Sequence, residues 1–232
     1  MRFDNILILL SLILIFIVAC SSIQPKNTAD SCILFNEKKN WYKSTKKSYE
    51  KWATPIALQL AIINQESSFN QFAKPKRKRF FSLIPGRRPS SAFGYAQVTN
   101  PTWNWYKSRT GRNNASRANF SDVTDFIGWY SDQTTKILGI PKNDFYNQYL
   151  AYHEGHSGWK KDLYKSKKWL LDSAKRYKFD ANYEYAMIYK DLNDYDNALK
   201  YIKVVPEFLS DPRKLKNYSH ISYANHNFSA LL

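Results

Sequence analysis

Cysteine and histidine are scarce in this chain. With only Cys20 and Cys32, no disulfide framework can be built. Four histidines and two cysteines show no recognised metal-ligand motif, so no metal and no cofactor are expected. No stretch alternates apolar and polar residues with period two, which excludes an extensive half-buried sheet and leaves a mainly α fold. The apolar run Ile6 to Val18, broken only by Ser11, is shorter than the ~20 residues that a permanent membrane span requires. Acidic residues are outnumbered 19 to 35 by lysine and arginine, giving a net charge of +16.

What is present begins at the N-terminus. Arg2, the apolar run and then Ala19-Cys20 have the anatomy of a secretory signal. Ile17-Val18-Ala19-Cys20 resembles the bacterial lipobox, which implies cleavage before Cys20 and attachment of lipid to it. Ser21 after the cysteine implies, by the same resemblance, an outer-membrane lipoprotein facing the periplasm of a two-membrane bacterium. Residues 1–19 are then the signal peptide, and the mature chain keeps the net charge of +16 because Arg2 and Asp4 leave together. A basic balance ordinarily raises nucleic acid as a partner, but an exported chain does not meet it, so no nucleic acid is expected. With Cys20 acylated, Cys32 has no partner.

Residues 20–34 read as a polar tether, 35–168 as the principal domain, and 169–232 as a helical extension. Aromatic residues among lysines from Phe35 to Ala53 suggest a helix on the domain surface. Thr54-Pro55 has the form of an N-cap followed by proline at the first helical position. The stripe Ile56, Leu60 and Ile63, widened by Leu58 and Ile62, then predicts a largely buried helix whose last turn holds Glu66. Residues 71–91 contain Lys74, Lys76, Arg77, Lys78, Arg79, Arg87 and Arg88 with no acid and three prolines, the pattern of a solvated loop. Asn100-Pro101 opens a short helix ending at Gly111. Ser121-Asp122 opens another, with Val123, Phe126, Ile127, Tyr130, Ile137 and Leu138 at helical spacing and Gly139 as its stop. A further helix is expected over Asp144 to His153. Tyr183 to Val205 has the Tyr/Ala spacing of one tetratricopeptide-like helix pair, although a lone repeat cannot bury a core and two helices packed on the domain are the simpler reading. Residues 212–232 are polar and expected to fray.

Three segments stand in a telling order: Glu66-Ser67-Ser68 at a helix end, Ser91-Ala92-Phe93-Gly94-Tyr95-Ala96-Gln97 after the loop, and Ala151-Tyr152-His153-Glu154-Gly155 downstream. They resemble the SLT-domain lytic transglycosylases, relatives of goose-type lysozyme. The resemblance covers about residues 50 to 165. It implies a lysozyme-like helical domain that cleaves the β-1,4 bond between N-acetylmuramic acid and N-acetylglucosamine in peptidoglycan, with Glu66 and Tyr152 catalytic. Ser67, Ser91, Gly94, Tyr95, Gln97, His153 and Glu154 then fall at positions associated with substrate. Tyr95 and Ala96 depart from the usual Gly-Leu-Met-Gln, and His153 replaces the usual Asn. The partners implied are glycan strands of the wall and, through the N-terminal lipid, the membrane.

The residues support Glu66 on their own terms. Breaking a glycosidic bond needs a proton donor at the leaving oxygen, and a carboxyl at the C-terminal end of an apolar helix has its charged form disfavoured by desolvation and by the helix dipole. A hydrolase normally needs a second carboxylate. Glu154 is the obvious candidate but sits at a variable position between His153 and His156. A transglycosylase needs none, because the muramoyl 6-hydroxyl attacks within the substrate and leaves a 1,6-anhydro end. Goose-type hydrolysis at the same bond and non-catalytic wall binding are the alternatives. Trp103, Trp105, Tyr106, Trp129 and Trp159 could stack on sugars but suit a core better. The basic loop has the charge to steer the chain toward anionic wall peptides or phospholipid.

Overall fold

A computed structural model describes residues 24–191 except 27, 29–30, 78 and 81–83. The signal peptide, Cys20, most of the tetratricopeptide-like segment and the 212–232 tail lie outside the described residues.

The described chain is mainly helical: α1 (Ser31–Glu37), α2 (Lys39–Trp52), α3 (Ile56–Ser67), α4 (Asn100–Thr110), α5 (Phe120–Leu138), α6 (Phe145–Lys160) and α7 (Lys168–Asp191). Two two-residue strands, β1 (Arg79–Phe80) and β2 (Ile84–Pro85), pair antiparallel between α3 and α4. Thus the basic segment expected as plain loop contains a minimal hairpin, with Pro85 as an end residue of the pair, where a missing N–H costs least. The helix expected over Phe35 to Ala53 is two helices, parted at Lys38 where the backbone turns to φ −121, ψ 67.

Helix α3 occupies the centre, packed by α2, α5 and α7. Every residue from Ala57 to Ile63 is buried, so this helix is buried all round rather than striped, with Gln59 donating to the Thr45 and Thr54 carbonyls. Removing Leu58, Leu60, Ile62 and Ile63 from water contributes about 1.5–3 kcal/mol per side chain before conformational entropy is set against it. Its start differs from the sequence expectation. Pro55 takes the cap position with no side-chain cap, and Thr54 donates its hydroxyl to the Gly128 carbonyl at 3.1 Å, tying α3 to α5. Buried against α5, the hydroxyl finds a carbonyl acceptor there in place of its own helix N-terminus. The other caps also shift by a residue or two: Thr99 precedes α4, and Asn119 caps α5 by accepting from the Asp122 amide. Asp144 caps α6 as expected for a helix starting there, which runs on past His153 to Lys160.

The core continues beyond residue 168. Leu170, Ala174, Tyr177 and Ala181 of α7 belong to the same buried cluster as α3, α5 and α6. The tether also makes contact: Pro25 is buried and the Gln24 amide donates to the Ser68 carbonyl at 3.0 Å. Trp103, Tyr106 and Trp129 are buried, and Trp105 and Trp159 pack against the core. Ile137, expected on the apolar stripe of α5, is instead exposed near the helix end. A buried acid knits α2, α4 and α5 together: Asp125 accepts from Tyr106 Oη at 2.6 Å, Trp52 Nε1 at 3.0 Å and Lys51 Nζ at 3.1 Å. Arg112 adds an ion pair to Asp125 at 3.0 Å.

Candidate active site

The chain reverses sharply after Glu66. Ser68 and Phe69 both adopt left-handed φ, +50° and +61°, unusual for non-glycine residues and strained for a bulky one. Burial of Phe69, whose ring stacks on Trp41 at 5.5 Å, offsets that strain. The reversal leaves Glu66 facing a cleft of about 600 Å³ that Gln97, Tyr130, Tyr152, His153, Glu154 and Gly155 also line. Segments far apart in sequence thereby meet around one carboxyl.

Burial raises the Glu66 pKa from an ordinary 4.5 to about 7, while a hydrogen bond from the Tyr149 hydroxyl opposes the rise. Glu66 is therefore a carboxyl able both to hold and to release a proton near neutrality. Tyr149 was not singled out from sequence, yet its hydroxyl bonds to Glu66. Its ring stacks on Tyr177 of α7 at 4.6 Å, and Tyr177 Oη donates to the Leu58 carbonyl at 3.1 Å. Its only sequence signal is its place one turn before Tyr152 on the same helix. Burial, then the charge of Glu66, keeps the Tyr149 and Tyr152 hydroxyls protonated.

Tyr152 lines the cleft, but its hydroxyl donates to the Ala96 carbonyl at 2.6 Å, joining α6 to the turn that carries Gln97. Gln97, at φ +46°, donates from Nε2 to the Ala73 and Gly94 carbonyls, each at 2.9 Å. Its Oε1 accepts no hydrogen bond among the described residues and remains open to a ligand donor. Gly94 is buried at φ +79°, and a Cβ there would lie 2.1 Å from the Arg117 carbonyl oxygen, so only glycine fits. Gly155 interrupts α6 at φ 72, ψ 160, a conformation essentially reserved for glycine, and so turns the helix along the cleft.

Several candidates sit elsewhere. Tyr95 is buried in the core, edge-on to Trp41 and Phe120, rather than in the cleft. Ser67 turns its hydroxyl back to the Ile63 carbonyl at 3.1 Å. Ser91 accepts from the Asn100 amide at 2.9 Å, holding the start of α4, and lines a neighbouring hollow rather than the cleft. Glu154 does line the cleft, yet Lys167 Nζ reaches both its oxygens at 2.7 and 2.8 Å and its side chain is only 4% exposed. That carboxylate is engaged as an ion pair. His153 bonds weakly to Glu154 at 3.3 Å and meets the edge of the exposed Trp169 at 5.0 Å, an aromatic the sequence reading passed over. Burial lowers the pKa of His153, and that of His156 to about 4, so His156 is neutral at neutral pH. His156 stacks on Tyr130 and bonds Thr134 behind the cleft. Cys20 lies outside the described residues, and no cluster suited to a metal exists among those described.

The family described as "Transglycosylase SLT domain" matches residues 8–190. The chain belongs to that family. No curated protein and no solved structure matches it. SLT-domain membership carries transglycosylase activity in general, with peptidoglycan as the substrate class, and agrees with the helical architecture. The match extends to residue 190 and so includes nearly all of α7, the helix whose Tyr177 backs Tyr149.

Proposed function

We propose that this protein is a lytic transglycosylase in which Glu66 serves as the single acid and base. Protonated Glu66 donates to the oxygen bridging N-acetylmuramic acid and N-acetylglucosamine, and the bond from that oxygen to the muramoyl anomeric carbon breaks. The carboxylate so formed takes the proton of the muramoyl 6-hydroxyl as its oxygen attacks the same carbon. Glu66 is regenerated, no water is consumed, and a 1,6-anhydro end results.

The observation that carries this reading is the cleft's acid inventory. Among the described residues two acids line it: Glu66, with its pKa near 7, and Glu154, held by Lys167. Hydrolysis calls for a second available carboxylate to serve as nucleophile or to activate water. Tyr149 orients the Glu66 carboxyl, while Tyr152 holds the Gln97 turn, a positioning role through Ala96. Cys20 as the lipid-bearing mature N-terminus, anchoring the enzyme in the outer membrane, is part of the proposal and rests on the lipobox-like residues.

Mass spectrometry of digested murein tests the chemistry. Fragments lighter by one water than their hydrolytic counterparts are expected, whereas saturated reducing ends would make the protein a muramidase. Glu66→Gln should lower turnover by about 10²–10⁴-fold, the usual share of general acid–base catalysis. A purely wall-binding protein would be indifferent to that change. Mass analysis of the mature N-terminus should show an acylated Cys20.

A further inference from the structure

Beside the cleft lies a second hollow of about 400 Å³, lined in part by Lys74, Arg88, Phe93 and Arg117. Ser90 and Ala92 line both, so the two are continuous. The cations in the hollow touch only neutral groups. Arg117 donates to the Ser91 and Val98 carbonyls and to Asn100 Oδ1, at 2.9, 2.6 and 2.8 Å. Arg88 donates to the Pro75 carbonyl, and Lys74 Nζ stands 5.3 Å from the Phe93 ring centre, over which Arg117 also lies at 5.4 Å. None of the three has a carboxylate partner among the described residues. Nor does the neighbouring chain supply one: between Glu66 and Asp122 there is no acidic residue.

Unneutralised cations around an aromatic floor form a receptor for an anion carrying some apolar surface. A glycan strand lying in the cleft brings such a group with it, because each muramoyl residue bears a short peptide with free carboxylates and aliphatic side chains. We propose that this hollow binds a carboxylate of that peptide stem, so that the enzyme prefers peptide-bearing strands to bare glycan. The assignment rests on the cleft taking peptidoglycan. A phospholipid phosphate would satisfy the cations but would not require a hollow continuous with the catalytic cleft. Arg117 sets the geometry through its three bonds, and Lys74 and Arg88 complete the charge.

The test compares kcat/KM of the full-length protein on intact strands and on strands stripped of peptide by an amidase. The wild type should favour intact strands. In Lys74→Gln/Arg88→Gln that preference should fall about tenfold, roughly what two part-exposed charge pairs supply together. Both side chains are exposed, so the fold should tolerate the change. Lys43→Gln/Lys47→Gln, which removes the same charge from the exposed face of α2, should keep the preference. Equal rates of the wild type on both strands, or a preference undiminished in Lys74→Gln/Arg88→Gln, would overturn the subsite and leave the transglycosylase reading standing. Loss of binding to phosphatidylglycerol vesicles with the preference intact would assign the hollow to membrane phosphate instead. A wild type that cleaves neither strand would overturn both readings.

Discussion

Replacing Glu66 by glutamine should stabilise the protein above neutral pH even as it removes the proposed activity. In the folded state the carboxyl holds its proton up to about pH 7, whereas in the unfolded chain it ionises near 4.5. Between those values the folded state binds more protons than the unfolded one. The contribution of Glu66 to stability is therefore fully present below the lower value and is lost as pH rises through the upper one. At 1.36 kcal/mol per unit the shift corresponds to about 3 kcal/mol, reduced toward about 2 by water reaching the carboxyl through the cleft. Glutamine cannot ionise and still accepts from Tyr149, so differences unrelated to titration are the same at every pH. Urea unfolding of both proteins at about pH 4 and about pH 8 should show the advantage of the variant growing by about 2–3 kcal/mol, or about 5–10 °C in Tm. A gap that stays constant with pH would mean that Glu66 ionises as freely folded as unfolded, and the physical case for it as an acid near neutrality would collapse.

Tyr149→Phe removes the hydrogen bond that favours the Glu66 carboxylate. The alkaline limb of the kcat/KM profile, where the acid is lost, should move up by about one pH unit. Gly94→Ala forces a Cβ into the Arg117 carbonyl as well as straining φ, whereas Gly155→Ala meets open space and suffers only from its backbone angles. Thermal unfolding should rank the first as the more damaging, by about 2 kcal/mol or more, against about 1–3 kcal/mol for the backbone cost alone. Lys167→Met strands the nearly buried Glu154 carboxylate and should cost about 2 kcal/mol, less than for a fully buried pair because Lys167 keeps 38% of its side chain in solvent. Adding Glu154→Gln should recover most of that loss in the same urea assay.

Much of this protein was legible along the chain. Apolar spacing marked α3 and α5, and Gly111 and Gly139 marked the ends of α4 and α5, because both signals are local. Helix starts were less legible. Thr54 has the chemistry of a cap, but its hydroxyl reaches a carbonyl 74 residues away that only the folded chain presents. The order of Glu66, Gln97 and Tyr152 pointed to one cleft, and the structure brings all three to its lining.

The sequence by itself determined the helical class, the place of Glu66 at the end of a buried helix and the glycine stops of α4 and α5. These depend on side-chain periodicity and allowed backbone angles, which neighbours in sequence dictate. Tertiary structure alone decided which groups surround the carboxyl. It put Tyr149 rather than Tyr152 on Glu66, backed Tyr149 with Tyr177 from α7, engaged Glu154 with Lys167 and buried Tyr95 away from the cleft. Those partners lie 13 to 83 residues apart, and a hydrogen bond or a desolvation penalty depends on distance in space, which no spacing along the chain encodes.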